Sequence, residues 1–175
     1  MKVLLDTHIA LWAIADSDKL DDSTIKILQD TNNEVYYSVV SVWEIAIKHQ
    51  INPINMPITE EDFVELCEGA GLMHLDILPE HIFTIKTLSR DESEQKHNDP
   101  FDRLLLSQAK FEDFIFITHD SLIPGYNETC IMKIWYNWHW GLKSYIHDSG
   151  NRIFERRLLE NERNKLWIKN ISLIQ

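Results

Sequence analysis

Glycine is scarce in this sequence, five residues in 175, and none falls in a phosphate-binding fingerprint. Such a loop needs glycines at fixed spacing so that backbone amides can approach the phosphates, so nucleotide-dependent chemistry of that kind is excluded. No Ser/His/Asp arrangement competes for a catalytic role either. Cysteine is scarcer still. Cys67 and Cys130 stand outside any Cys-x-x-Cys pair and away from any His-rich tract. That disfavours zinc, and both are expected to be buried free thiols. The apolar runs, such as Ile9–Ala15, are short, and none reaches the roughly 18 residues of a membrane span. The opening Met1-Lys2-Val3-Leu4-Leu5-Asp6 lacks a signal-peptide shape, because a carboxylate interrupts it early. A cytoplasmic protein with no membrane partner is expected.

Positive charge is also short, and unevenly so. Through Trp135 there are 10 Lys and Arg against 24 Asp and Glu, a net of −14. From Tyr136 onward there are 7 against 4, a net of +3. The acidic body lacks the basic footprint of a simple nucleic-acid binder. It suits a protein that gathers carboxylates around a cation, or one that docks a basic partner.

What is present is a core-forming composition. Hydrophobic residues make up 44% of the chain, with six Trp, seven Phe and five Tyr, enough for one globular domain. Lys2–Leu5 is a short apolar run that stops at Asp6, the pattern of a buried strand. A helix follows from Thr7 to about Asp16, and a second, amphipathic one from Asp22 to about Asp30. Glu34–Ser38 alternates as a strand. Ser38 is placed to cap a helix from Val39 to about Gln50. Thr59 caps another, with Glu60, Glu61 and Asp62 in its first turn and Gly69 and Gly71 at its end. Leu72–Leu78 is strand-like, Pro79 opens a helix to about Leu88, and 91–98 is a polar loop. Pro100 to about Phe111 is helical; Phe114–Thr118 and Ile131–Trp135 are strands. Strands alternating with helices predict an α/β protein, a three-layer α/β/α sandwich around a mostly parallel sheet. Sites in such sheets lie at the carboxyl ends of the strands.

Four acids fall where that rule directs attention. Asp6 ends the first strand, and taken alone it is better explained as the cap of the next helix. Glu44 lies in the early turns of the helix after Ser38, where an ordinary pair with Lys48 at i+4 is the plain alternative. In Asp99-Pro100-Phe101-Asp102-Arg103, Pro at the first helical position makes Asp99 the natural cap. The cap being supplied, Asp102 is free for a role in a cleft. Asp120 follows the strand ending at Thr118, and a turn role ahead of Pro124 is its alternative. Gathered together, these carboxylates would repel and raise one another's pKa values. A hard cation such as Mg²⁺ or Mn²⁺ removes that cost and takes oxygen ligands.

Read together, Leu4-Leu5-Asp6-Thr7-His8, Ser41-Val-Trp-Glu44-Ile-Ala-Ile-Lys48, His97-Asn-Asp99-Pro-Phe-Asp102-Arg-Leu-Leu-Leu-Ser-Gln-Ala109 and Ile117-Thr-His-Asp120 resemble the PIN domain and its VapC-like toxins. The resemblance spans residues 1–135. It implies a Mg²⁺- or Mn²⁺-dependent endoribonuclease acting on RNA, neutralised by a cognate antitoxin, and a homodimer. It places the metal-binding, catalytic acids on Asp6, Glu44, Asp102 and Asp120, with Asp99 an extra acid of the Asp-Pro-Phe-Asp-Arg subgroup. Thr7, Ser41 and Thr118 are candidates to orient those carboxylates, and each is also explained as a cap or turn residue. His8, His97 and His119 lie beside the acid motifs. One of them could act as a general acid, but surface or packing roles are the favoured reading. Arg103 could contact phosphate or pair with an acid. Trp12 and Trp43 are expected in the core or a dimer interface. RNA binding should be weak without divalent metal, and the antitoxin should present Arg or Lys to the acids. Residues 136–175 form an extension of open role, where an added helix packed on the body or a partner, or a poorly ordered extension, is favoured over a single-stranded RNA contact. The rival reading is a PIN fold kept as a catalytically inactive protein-interaction module. An aspartate-nucleophile phosphatase is disfavoured, because His8 stands where the second Asp of its Asp-x-Asp pair would be.

Overall fold

In the computed structural model the described residues are 1–15 and 18–134. The extension expected at 136–175 lies outside them, as do Asp16 and Trp135. Five strands form one sheet in the order β3-β2-β1-β4-β5, every neighbouring pair parallel. They are β1 (Lys2–Leu5), β2 (Glu34–Ser38), β3 (Met73–Leu75), β4 (Ile115–Thr118) and β5 (Ile131–Lys133). The helices are α1 (Thr7–Ile14), α2 (Asp22–Gln29), α3 (Val39–Ile51), α4 (Glu60–Gly69), α5 (Pro79–Thr84) and α6 (Pro100–Glu112).

The alternation of side chains along β1 divides the interior in two. Val3 and Leu5 enter one apolar cluster with Ile9, Trp12, Val35, Tyr37, Ile45, Phe63 and Ile117. Leu4 enters the other with Val40, Leu104, Leu105, Leu106, Ala109 and Phe116. The central strands thus carry apolar residues on both faces, as a covered parallel sheet requires. The α/β/α sandwich expected from the sequence is what forms.

Three local expectations are corrected. The strand expected over Leu72–Leu78 is only Met73–Leu75, because β3 is an edge strand paired with β2 alone and the Asp76 carbonyl accepts instead from Gln108 Nε2 at 3.0 Å. The helix opened by Pro79 ends at Thr84 and continues as a single 3-10 turn, Ile85–Thr87. Cys67 is buried, but Cys130 is only half-buried. Trp43 also departs from a core role. Helix α3 buries Val40, Ser41, Glu44 and Ile45, so position 43 faces away from that stripe. Trp43 is 51% exposed, edge-on to Phe101 with ring centroids 4.9 Å apart. Trp12, by contrast, is buried.

The strand order reverses beside β1: β2 extends the sheet on one side and β4 on the other. A crevice opens at the carboxyl ends of strands flanking such a switch point. Here those ends carry Asp6 and Thr118.

Candidate active site

Asp6 stands one residue past β1, and its N–H donates to the Ile117 carbonyl at 3.0 Å. That extends the β1–β4 ladder by one step and sets the carboxylate beside the end of β4. Thr118 Oγ1 donates to Asp6 Oδ2 at 2.5 Å. The same hydroxyl oxygen accepts the Asp120 N–H at 3.0 Å, so its single proton is committed to Asp6. Asp6 also caps α1 through the His8 N–H, at a long 3.4 Å. Asp6 is therefore at once the cap of α1 and a carboxylate at the rim of the sheet. Its side chain is buried, and burial raises its pKa above the ordinary carboxylate value. His8 and the Thr118 bond work against that rise, and Glu44 adds to it.

Glu44 comes over the same rim from α3. Thr7 Oγ1 lies 2.6 Å from Glu44 Oε2 and 2.8 Å from Ser41 Oγ. A carboxylate only accepts, so the Thr7 proton goes to Glu44 and Ser41 is the donor to Thr7. A buried Ser41–Thr7–Glu44 chain results. The other oxygen, Oε1, takes the Lys48 ammonium. The i+4 ion pair open in the sequence is thus present, together with a contact to Thr7 at the same rim.

Asp102 lies at the start of α6. Asp99 is the cap, accepting from Phe101 N–H at 2.8 Å and from Asp102 N–H at 3.3 Å. That leaves the Asp102 side chain free of capping. Its Oδ2 instead meets His97 Nε2 at 3.1 Å. Burial pushes the Asp102 carboxyl up to about 8, and Asp6, Asp99, Glu44 and Asp120 all push in the same direction. Asp120 serves its turn: Oδ1 accepts from Leu122 N–H at 2.6 Å and Ile123 N–H at 3.1 Å.

The four acids therefore occupy one electrostatic neighbourhood, each turned onto donors of its own chain. Among the described residues no three His, Cys, Asp or Glu side chains form a group ready to hold a metal ion. The chemistry of the donors nevertheless fits a hard cation. They are carboxylate oxygens, and Mg²⁺ commonly takes one or two of these and keeps several waters. Sequence reasoning gave little weight to His97, which is buried against Asp102. It also missed Tyr126, which lies behind His97. The available signal was a histidine five positions before Asp102, across a helix cap. His119, packed edge-on to Trp12, has its pKa lowered, first by burial and then by Lys133 and His8.

The PIN domain model matches residues 3–126. The chain belongs to the PIN domain family. That family is in general one of nucleases, and its nucleases typically use divalent metals. Among solved structures, this PIN domain is similar in fold to the crystal structure of VapBC2 from Rickettsia felis bound to a DNA fragment from their promoter. The match has a TM-score of 0.54 at 17% sequence identity, over 78% of this chain and 100% of that one. No curated protein sequence matches the chain. No described helix of this PIN domain is long and apolar enough to cross a membrane.

Proposed function

We propose that the chain is a Mg²⁺- or Mn²⁺-dependent endoribonuclease that hydrolyses RNA phosphodiester bonds, and the toxin of a toxin–antitoxin pair. The observation that carries this reading is Asp102, a largely buried carboxyl whose burial and four acidic neighbours all press it toward the neutral form. A cation relieves that pressure, and a nuclease of this family needs one. Asp6 and Asp102 would hold it, with Glu44 and Asp120 as the further acids of the oxygen set. When bound, a hard divalent ion supplies an acidic water as nucleophile and stabilises charge on the phosphoryl oxygens.

The chain's own residues prepare that chemistry. Thr118 aims Asp6, and the Ser41–Thr7 chain aims Glu44. Lys48 offsets the Glu44 charge where the helix meets the rim. Asp99 fixes the start of α6, hence the backbone of Asp102; its influence on the site is electrostatic. The acidic body makes RNA binding weak without divalent metal, because phosphate and carboxylates repel.

The toxin assignment is supported by the fold shared with VapBC2. By that likeness the partner is a protein antitoxin, and the net charge of −14 through Trp135 favours one that brings Arg or Lys to the acids. A homodimer in the cytoplasm belongs to the same reading. A second reading is favoured by the Lys48–Glu44 pair and by the lack of a ready ligand group among the described residues: a PIN fold kept as an inactive interaction module.

Purified protein, free of partner, with mixed cellular RNA and Mg²⁺ or Mn²⁺ separates the two. Cleavage that needs metal and falls by roughly a hundredfold or more in Asp6→Ala and Asp102→Ala supports the nuclease. A folded protein that neither cleaves nor binds Mn²⁺ is the interaction module.

A further inference from the structure

We propose that His97 is a positioning residue for Asp102, itself locked by Tyr126, so that two surface loops clamp one carboxylate of the site. The proposal rests on the reading of Asp102 as a metal ligand.

Within residues 91–100 His97 alone is buried. A histidine that merely filled space would leave a ring nitrogen facing apolar atoms or water. Here both nitrogens have polar partners. Nε2 lies 3.1 Å from Asp102 Oδ2 and Nδ1 3.2 Å from the Tyr126 hydroxyl. The ring stands edge-on to Tyr126, at 83° with centroids 5.7 Å apart. A carboxylate that holds a cation is ionised and only accepts, so with a cation bound Nε2 carries the proton toward Asp102. Nδ1 then accepts the Tyr126 O–H. The tyrosine thus holds the ring in the orientation from which the imidazole donates to the carboxylate, the role of a partner that orients a metal ligand. With Oδ2 engaged, Oδ1 is the oxygen left for a cation.

Tyr126 is itself pinned. The Arg90 guanidinium lies over its ring, 4.5 Å from the centroid. Arg90 Nη1 donates to the Leu122 carbonyl at 2.5 Å and Nη2 to the Gln95 carbonyl at 2.8 Å. The backbones meet in an antiparallel bridge between Arg90 and Tyr126, and Asn127 N–H donates to the Ser89 carbonyl at 2.9 Å. One guanidinium therefore ties the loop bearing His97 to the loop bearing Tyr126. Gly125 permits it, because a Cβ there would fall 2.5 Å from Arg90 Nη2.

The test uses the full chain and Mn²⁺ alone as probe, with affinity read by calorimetry and folding by thermal melting. His97→Ala is expected to weaken Mn²⁺ binding about tenfold or more. His97→Gln restores most of that affinity, since its amide nitrogen can occupy the Nε2 position. His97→Asn does not, since its amide nitrogen matches Nδ1. Tyr126→Phe gives a smaller loss. The Gln and Asn pair decides the matter even if the alanine variant fails to fold. A merely structural His97 would lower the melting temperature alike in Gln and Asn and leave Mn²⁺ affinity untouched, which overturns the proposal. Asp102→Ala separates the two layers. If it loses Mn²⁺ while every folded His97 variant keeps it, the clamp alone is wrong. If it binds Mn²⁺ as the native chain does, the reading of Asp102 as a ligand falls, and the clamp with it.

Discussion

Asp6 is a buried and Asp102 a partly buried acid of the candidate site, and they are held in opposite ways. Asp6 is placed by the sheet. Its backbone continues the ladder to Ile117, and its donor, Thr118, is the last residue of the neighbouring strand. Asp102 is placed by loops, through a histidine five residues back and a tyrosine from another segment. The surroundings differ as well. Asp6 has a hydroxyl bond and His8 to favour its charged form, and these oppose its burial. For Asp102, burial and its acidic neighbours all favour the neutral form. Both carboxyls are held above the ordinary carboxylate range, but topology gives one half groups that support its charge, while burial and acidic neighbours weigh together on the other, a deficit that a cation would fill.

The largest effect expected from this contrast is on stability without metal. A carboxyl raised from near 4 in the unfolded chain to about 8 in the fold holds its proton more tightly when folded. Stability from this group is complete below the unfolded value and is lost as pH rises from about 4 toward 8. Asp102→Asn removes that loss. The variant should match the native chain near pH 4 and exceed it by about 2 kcal/mol or more at pH 8. Melting at both pH values, with chelator present, measures it, and saturating Mn²⁺ should erase or reverse the advantage. A native chain that is as stable at pH 8 as the variant would remove the deficit from Asp102 and level the two halves.

The same contrast explains what could be read in the sequence. Asp6 ends an apolar run, and Thr118 ends another. Once the sheet is parallel and β1 and β4 are neighbours, their meeting follows from register. Asp99 and Asp102 were separable because Pro100 fixes which of them is the cap. His97 and Tyr126 were not legible as partners, since they stand 29 residues apart in sequence and their contact depends on Arg90 bridging two loops. No periodicity records such a crossing. That Trp43 lies outside the core was hidden for a related reason: the apolar composition of α3 conceals which of its positions the rim leaves outside.

Glu44 tests the charge balance from the other side. Lys48 is part-exposed and Glu44 nearly fully buried, so removing the ammonium leaves a carboxylate short of a counter-charge in a poor solvent. Lys48→Met, which keeps the aliphatic stem, should cost about 2 kcal/mol, less than for a wholly buried pair because the lysine keeps part of its hydration. In a Glu44→Gln background the same change should cost almost nothing, and the double-mutant cycle isolates the pair. Equal costs in both backgrounds would assign the loss to packing of the lysine stem and leave Glu44 as dependent on an outside cation as Asp102.

The smallest effect concerns the hydroxyl that makes Asp6 different. Thr118→Val preserves shape and the β-branched fit to the strand, so the hydroxyl is the one group removed. Asp6 Oδ2 loses its donor and the Asp120 N–H loses its acceptor. A lost bond to a charged acceptor in a buried setting is worth about 1–2 kcal/mol. Since that bond lowers the Asp6 pKa against its burial, the valine variant should raise the pKa further. The penalty should therefore be small in acid, where the folded carboxyl is protonated, and grow as pH rises through the interval in which it ionises. Thr118→Ser keeps the donor and should recover most of the loss. If valine and serine melt alike at every pH, the register of the sheet alone holds Asp6, and the two halves of the site differ in backbone placement but not in how their charge is supported.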